Sequence, residues 1–219
     1  MSTTFDATWI NRCVEGCAQS HQLLLNVADA ISDDDCRGQS LLEGWTRGHV
    51  LTHLARNAER HIHLFECAGR GEIGDQYPGG MSQRNADIED GATRSVADIV
   101  ADLRRQVWGL EAQWAHATPD TWQGSARRPG GQVVPVSDLV FLRWREVAIH
   151  IVDLNVGVGH ESWSDFYVQH ELERQQHACQ THGVPIDPAV DQLEPAQRLA
   201  WMIGRVQLPQ LGAAPGFQV

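Results

Sequence analysis

The sequence predicts a mainly α-helical protein, built as a four-helix bundle with a short, reduced C-terminal region. Apolar residues recur at three- and four-residue intervals in four long segments, which is the pattern of helices that bury one face. The composition, 42% hydrophobic and 21% charged, is that of a globular protein. We expect the bundle to occupy residues 1–158, and a helix with an irregular tail to occupy residues 159–219.

The first two predicted helices flank an acidic turn. One helix spans about residues 8–31 and is closed by the turn at residues 32–35. The other follows Thr46, a residue type that caps helix N termini, and continues to about Cys67, where a run of glycines begins.

The third and fourth helices follow a long connection. Residues 75–93 predict a loop that leads into a short helical turn. Ser95 then caps a helix that Pro119 stops. Residues 124–136 contain a Pro-Gly-Gly sequence and predict a hairpin-like loop. The fourth helix, about residues 137–156, is the most apolar in the chain.

The C-terminal region differs in composition from the bundle. A polar helix is expected over about residues 165–182 and a shorter one over 194–205. The tail, residues 209–219, contains glycine and proline and should be irregular.

Charge and cysteine content exclude several classes of function. A net charge of −11 with only 17 Lys and Arg argues against binding nucleic acid, because phosphate neutralisation needs clustered cations. Neither a secretory leader nor a run of about 18 apolar residues is visible, so we expect a cytoplasmic protein that does not enter membranes. The five cysteines are scattered and should be free thiols.

Glu146 and His150 are the first candidate site residues. They are four residues apart on the apolar fourth helix and therefore project from one face. A carboxylate and an imidazole both bind divalent metals, although an ordinary ion pair has the same spacing. A carboxylate buried on such a helix needs a charged partner or a metal. The second helix offers His49 and His53, again four residues apart, but without the glutamate of a His-Glu-x-x-His protease helix.

Three motifs resemble those of one known family. Residues 40–58 are SLLEGWTRGHVLTHLARNA, residues 84–92 are RNADIEDGA and residues 143–154 are RWREVAIHIVDL. They are similar to motifs of the mycothiol-dependent maleylpyruvate isomerases, which belong to the DinB-like bundle superfamily. The resemblance covers about residues 5–158 and implies a DinB-like four-helix bundle.

The resemblance also implies a metal site and a reaction. His53, Glu146 and His150 correspond to the three protein ligands of a divalent metal, usually zinc, whereas His49 falls at a position without a ligand role. Two histidines and a carboxylate leave a fourth position open, as in catalytic zinc sites. The implied enzyme is a cis–trans isomerase in which a low-molecular-weight thiol, activated near the metal, converts maleylpyruvate to fumarylpyruvate. The thiol is mycothiol, glutathione or cysteine.

Arginines are the expected receptors of the dicarboxylate substrate. Arg84 and Arg205 are candidates for substrate binding, thiol binding and catalysis, because a guanidinium binds a carboxylate through two hydrogen bonds. Arg205 resembles a family Gly-Arg near the C terminus, and the alternative for Arg84 is an ordinary surface arginine. Asn57 and Asp153, about one turn beyond His53 and His150, are candidates to orient the imidazoles, with solvated or capping roles as alternatives.

Two other functions stay open from the sequence. One is a thiol S-transferase of the same superfamily that acts on another electrophile, and the other is a non-catalytic bundle that senses metal or thiol. The isomerases carry an α/β domain after the bundle, whereas residues 161–219 show no alternating strand pattern, which leaves the identity of the thiol open. We expect a monomer or a homodimer.

Overall fold

The computed structural model describes residues 6–215 and divides into two compact units, residues 1–150 and 151–219. The division falls inside the fourth long helix. The helices are α1 (Ala7–Asp29), α2 (Asp33–Arg37), α3 (Arg47–Gly69), α4 (Gly80–Ala92), α5 (Val96–His116), α6 (Pro119–Trp122), α7 (Asp138–Asp153), α8 (Asp165–His182) and α9 (Pro195–Met202). The strands are β1 (Gly74–Asp75), β2 (Ser125–Arg127) and β3 (Val133–Pro135).

Helices α1, α3, α5 and α7 are the four long segments predicted from apolar periodicity, and their bounds agree with the prediction to within a few residues. The predicted N-caps are confirmed. The Thr46 hydroxyl accepts from the backbone N–H of His49, and the Ser95 hydroxyl accepts from that of Asp98. Such caps satisfy backbone donors that the first turn of a helix leaves without partners.

The connection between α3 and α5 differs from the prediction. Residues 80–92 form a 13-residue helix, α4, rather than a loop with a short turn. Its buried face is small, with Ile88, Gly91 and Ala92, so its periodicity is weak in the sequence. Packing against α3 supplies the stabilisation that a helix this short and polar lacks by itself.

The predicted hairpin at residues 124–136 is confirmed. Strands β2 and β3 pair antiparallel, with Ala126 opposite Val134. Strand β1, only two residues long, adds to β2 in parallel and was too short to be recognised in the sequence.

Helix α7 lies against α1 through a contact that only glycine permits. A Cβ atom added at Gly16 would lie 2.0 Å from the Trp144 ring, so the missing side chain is what gives the indole its space. Trp144 is buried and also meets Phe141 edge to face, with ring centroids 6.1 Å apart. This packing fixes the rotation of α7 about its axis.

The second unit contains α8 and α9, which pack against each other. Helix α8 matches the predicted range and ends at Gly183, whose φ of 65° is the left-handed conformation that glycine adopts at a helix C terminus. Helix α9 is shorter than predicted and stops at Met202. In the tail, residues 209–211 form a 3-10 turn, and residues 216–219 lie outside the described part of the chain, as do residues 1–5.

None of the helices in residues 6–215 combines the length and the apolar character needed to cross a bilayer. The expectation of free cysteines is confirmed, since all five are buried thiols without disulfide partners.

Replacing Gly16 with Ala tests the contact between α1 and α7. We expect the free energy of unfolding to fall by about 1–3 kcal/mol, because the added methyl group displaces a buried tryptophan. Urea denaturation measures the change. Gly109→Ala on α5 is the matched control, because its Cβ would meet only the flexible end of Ile62 at 3.1 Å. An equal loss of stability in both variants would contradict this role of Gly16.

Candidate metal centre

His53, Glu146 and His150 form a compact cluster between α3 and α7. Their ligand atoms all lie within 4.8 Å of one another. Glu146 Oε2 is 3.0 Å from His53 Nε2 and 3.5 Å from His150 Nε2. The two imidazoles meet edge to face at 89°, with ring centroids 4.8 Å apart. The structure therefore brings together the three residues to which the resemblance gives the metal.

Two helices position the three side chains. Glu146 and His150 are one turn apart on α7, and His53 projects from the second turn of α3, which its cap at Thr46 begins. The residues around them on α7 are fully buried aliphatics such as Val147 and Ile149. The cluster thus sits on two rigid elements in an apolar setting.

The electrostatics of the cluster favour the protonation states that bind metals. Burial lowers the pKa of His53 to about 4, in spite of the hydrogen bond with Glu146, so the imidazole is neutral at neutral pH. Burial opposes ionisation of Glu146, but hydrogen bonds from His150 and His53 outweigh it and hold the pKa of this carboxyl well below its usual range. Neutral imidazole and ionised carboxylate are the forms that coordinate a metal.

The donor set fits a divalent metal. Zinc takes imidazole nitrogen and carboxylate oxygen at about 2.0–2.2 Å, so ligand atoms in a tetrahedral site lie roughly 3.3 Å apart. The separations of 3.0 and 3.5 Å bracket that value. Glu146 keeps 21% of its side chain exposed, so solvent reaches the cluster. Three protein ligands and one accessible side are the arrangement of a catalytic rather than a structural zinc site.

Arg84 brings a cation to the edge of the cluster. Its Nη2 lies 3.2 Å from His53 Nδ1, and its Nη1 donates to Asn85 Oδ1 at 3.0 Å. The guanidinium also lies over the Tyr77 ring, 5.8 Å from its centroid. Helix α4, which the sequence did not predict at this length, is what places Arg84 here.

His49 stands outside the cluster. Its Nδ1 lies 2.7 Å from the Thr46 hydroxyl in the N-terminal cap of α3, and its Nε2 is 3.2 Å from Glu89 on α4. The Trp45 ring is close to both histidines at the start of α3, with its centroid 6.2 Å from that of His49 and 5.6 Å from that of His53. This placement agrees with the absence of a ligand role for His49 in the resemblance.

A buried arginine beside the cluster was not recognised in the sequence. Arg143, one turn before Glu146, has no solvent exposure. Its Nη1 donates to the Leu54 carbonyl at 3.0 Å and to Asn57 Oδ1 at 2.8 Å, and its Nε donates to His21 Nε2 at 3.1 Å. A signal was present, because an arginine in the most apolar helix has to find partners when it is buried.

The network continues through His21 to Glu111. Because Nε2 of His21 accepts from Arg143, its Nδ1 carries the proton and donates to Glu111 Oε1 at 2.8 Å. Burial lowers the pKa of His21 to about 4 and that of Arg143 to about 10, so at neutral pH the imidazole is neutral and the arginine is charged. The network joins α1, α5, α3 and α7.

Asn57 and Asp153 each accept hydrogen bonds from an arginine, and their expected role in orienting the imidazoles stays a prediction. Asn57 accepts from Arg143, and in the described part of the chain the group that reaches His53 Nδ1 is Arg84. Asp153 accepts two hydrogen bonds from Arg205, from Nε at 2.9 Å and from Nη2 at 2.8 Å. Arg205 is thus already bound to a carboxylate within the second unit.

Four of the five cysteines have the properties of inert core residues. Burial raises the pKa of Cys13 to about 12 and raises the pKa of Cys17, Cys36 and Cys179 as well. A thiol in this state carries almost no thiolate at neutral pH.

The fold and the cluster define a class of protein, the four-helix bundles in which two histidines and a glutamate meet between facing helices. Within that class, residues 17–155 match the family described as the mycothiol maleylpyruvate isomerase N-terminal domain. The chain belongs to this family. The family expected from the three motifs is thereby confirmed. No curated protein sequence matches the chain at a significant level.

Solved structures confirm the fold class. The mycothiol-dependent maleylpyruvate isomerase aligns with a TM-score of 0.84 at 20% identity, over 93% of this chain and 96% of that chain. YfiT from Bacillus subtilis, described as a probable metal-dependent hydrolase with an unusual four-helix bundle topology, aligns with a TM-score of 0.57 at 16% identity, over 74% of this chain and 93% of that chain.

Replacing Arg143 with Met tests the buried network. We expect the free energy of unfolding to fall by about 3 kcal/mol, because His21 and Asn57 would keep buried acceptors without donors. Denaturant unfolding measures the change. Arg104→Met is the control, since its ion pair with Asp29 is partly exposed and should contribute less than about 1 kcal/mol. Similar losses of stability in the two variants would argue against a special stabilising role of the buried Arg143 network.

Proposed function

We propose that this protein is a thiol-dependent cis–trans isomerase that converts maleylpyruvate to fumarylpyruvate. The observation that carries the proposal is the meeting of His53, Glu146 and His150 between α3 and α7. Membership of the maleylpyruvate isomerase family supports the reaction, and the likeness to the isomerase structure supports the fold on which it occurs.

The proposal assigns His53, Glu146 and His150 as the ligands of a divalent metal, with zinc as the first candidate. Such an ion, when bound, lowers the pKa of a thiol near it, which supplies thiolate at neutral pH. An imidazole binds a metal in its neutral form, so two imidazoles and one carboxylate would give the site a net charge of +1 with a divalent ion. A positive site attracts both a thiolate and a dicarboxylate substrate.

The thiol supplies the covalent chemistry. Its sulfur adds to one carbon of the cis double bond, and the electron pair of that bond moves onto the conjugated carbonyl. Rotation then occurs about what has become a single bond. When the electron pair returns, the double bond forms again in the trans geometry and the thiolate leaves unchanged, so no oxidant or reductant is consumed.

Of the two candidate arginines, the structure favours Arg84 as a substrate receptor. It lies against the cluster, and its described hydrogen bonds go to the neutral partners Asn85 and His53. Arg205 would have to give up Asp153 before it could bind another carboxylate with the same edge. Mycothiol is the first candidate for the thiol because the family carries its name. The proposal places the reaction in the cytoplasm, where small thiols stay reduced.

Zinc analysis of His53→Ala tests the ligand set. We expect the variant to lose stoichiometric zinc and activity while its far-ultraviolet circular dichroism stays unchanged, because the residue is a ligand and not a helix determinant. His49→Ala, one turn earlier on α3, should keep its zinc. A His53→Ala protein that still binds one zinc per chain would sink the assignment.

A spectrophotometric isomerisation assay tests the reaction. Maleylpyruvate is offered to the zinc-loaded protein with mycothiol, glutathione or cysteine, and we expect turnover with at least one thiol and none without. A variant in which all five cysteines are replaced should keep measurable thiol-dependent turnover, since the protein thiols are buried. Its inactivity, with folding intact, would point to a protein nucleophile instead. Thiol consumption without isomerisation would favour the S-transferase alternative.

A further inference from the structure

The contact between Arg84 and His53 fixes the tautomer of that histidine. A guanidinium has only donors, so His53 Nδ1, 3.2 Å from Arg84 Nη2, has to accept. The proton of the neutral ring is then on Nε2, where it is donated to Glu146 Oε2 at 3.0 Å. Both ring nitrogens are therefore engaged, one as acceptor and one as donor.

A metal held by the cluster requires the opposite tautomer. The nitrogen that faces Glu146 is Nε2, and it can bind a metal only through its lone pair. The ring proton must then be on Nδ1, where it meets the Arg84 guanidinium donor to donor. Because the ring is neutral in both states, the proton moves between nitrogens without a change in the charge of His53. The Arg84 contact and metal ligation by His53 thus exclude each other.

Arg84 differs from its neighbours in having no carboxylate partner. Arg60 pairs with Asp87 at 3.2 Å and Arg94 pairs with Asp102 at 3.0 Å. In residues 6–215, Arg84 has hydrogen bonds only to Asn85 and His53, both neutral. In the described residues, the structure gives this guanidinium no carboxylate to replace His53 as its partner. A ligand carboxylate is the natural acceptor for a guanidinium in this state.

We propose that Arg84 is a carboxylate receptor whose availability depends on the metal. Without metal, the guanidinium is held by His53. Metal binding at His53 releases it, and it then binds a carboxylate of a dicarboxylate ligand beside the metal. The inference rests on the proposed function for the presence of a metal, and it adds an order of binding, metal first and dicarboxylate second.

A thermodynamic cycle tests the dependence. Calorimetry measures the dissociation constant of maleate, an unreactive dicarboxylate probe, for the full chain with and without zinc, in wild type and in Arg84→Met. We expect the substitution to weaken maleate binding about tenfold in the zinc-loaded protein and less than about twofold in the metal-free protein, as for the loss of one charge-assisted hydrogen bond. Equal weakening in both states would overturn the inference.

Zinc affinity gives a second readout that does not depend on a substrate. In a chelator competition, Arg84→Met should bind zinc about tenfold more tightly than wild type, because no donor competes for His53. Arg60→Met removes the same charge beside the same two helices without touching His53, and should change zinc affinity much less. Equal changes of zinc affinity in the two variants would overturn the inference, because the effect would then come from the loss of one positive charge and not from the contact with His53.

Imidazole ¹⁵N chemical shifts of His53 report the tautomer directly. We expect the proton on Nε2 in the metal-free protein and on Nδ1 in the zinc-loaded protein. A metal-free His53 that already carries the Nδ1 proton would contradict the inference. A wild-type chain that binds no zinc overturns the proposed function and this inference together, whereas zinc binding that does not depend on Arg84 overturns the inference alone.

Discussion

Burial of the Arg143 guanidinium is the constraint on which the site depends. A buried charge needs hydrogen-bond partners in place of water. Arg143 donates to a carbonyl and a side-chain amide on α3 and to a histidine on α1. Because Glu146 follows one turn later on α7, the hydrogen bonds of Arg143 also fix the distance between the two helices that supply the candidate metal ligands. The Gly16–Trp144 contact fixes the rotation of α7 about its own axis.

The cluster itself is stabilised in two ways that oppose each other. In the structure, His53 donates from Nε2 to Glu146 and accepts at Nδ1 from Arg84, so both ring nitrogens have a hydrogen-bond partner. The proposed function gives the same atoms a different use, in which the imidazole lone pair binds a metal. Helix α4 carries Arg84, the residue whose contact with His53 competes with metal binding in the proposal.

The state of the protein's own thiols fits a reaction in which a small molecule provides the reactive thiol. The chain buries its own thiols and raises the pKa of most of them, while it gathers two imidazoles and an ionised carboxylate at a partly accessible position. In the proposed reaction the protein supplies position and charge, and the nucleophile comes from solution. In the aligned isomerase, the match extends over nearly the whole chain, so the C-terminal unit belongs to the comparable part of the molecule.

The sequence by itself determined the four long helices, their caps at Thr46 and Ser95 and the hairpin, because periodicity and capping act within a few residues. It also determined the pairing of Glu146 with His150, which four-residue spacing makes local, and the motifs pointed to His53. Only the tertiary structure decided the extent of α4, the partners of Asn57 and Asp153 and the network of Arg143. Those depend on which side chains meet across helices, and a local pattern carries no record of such contacts.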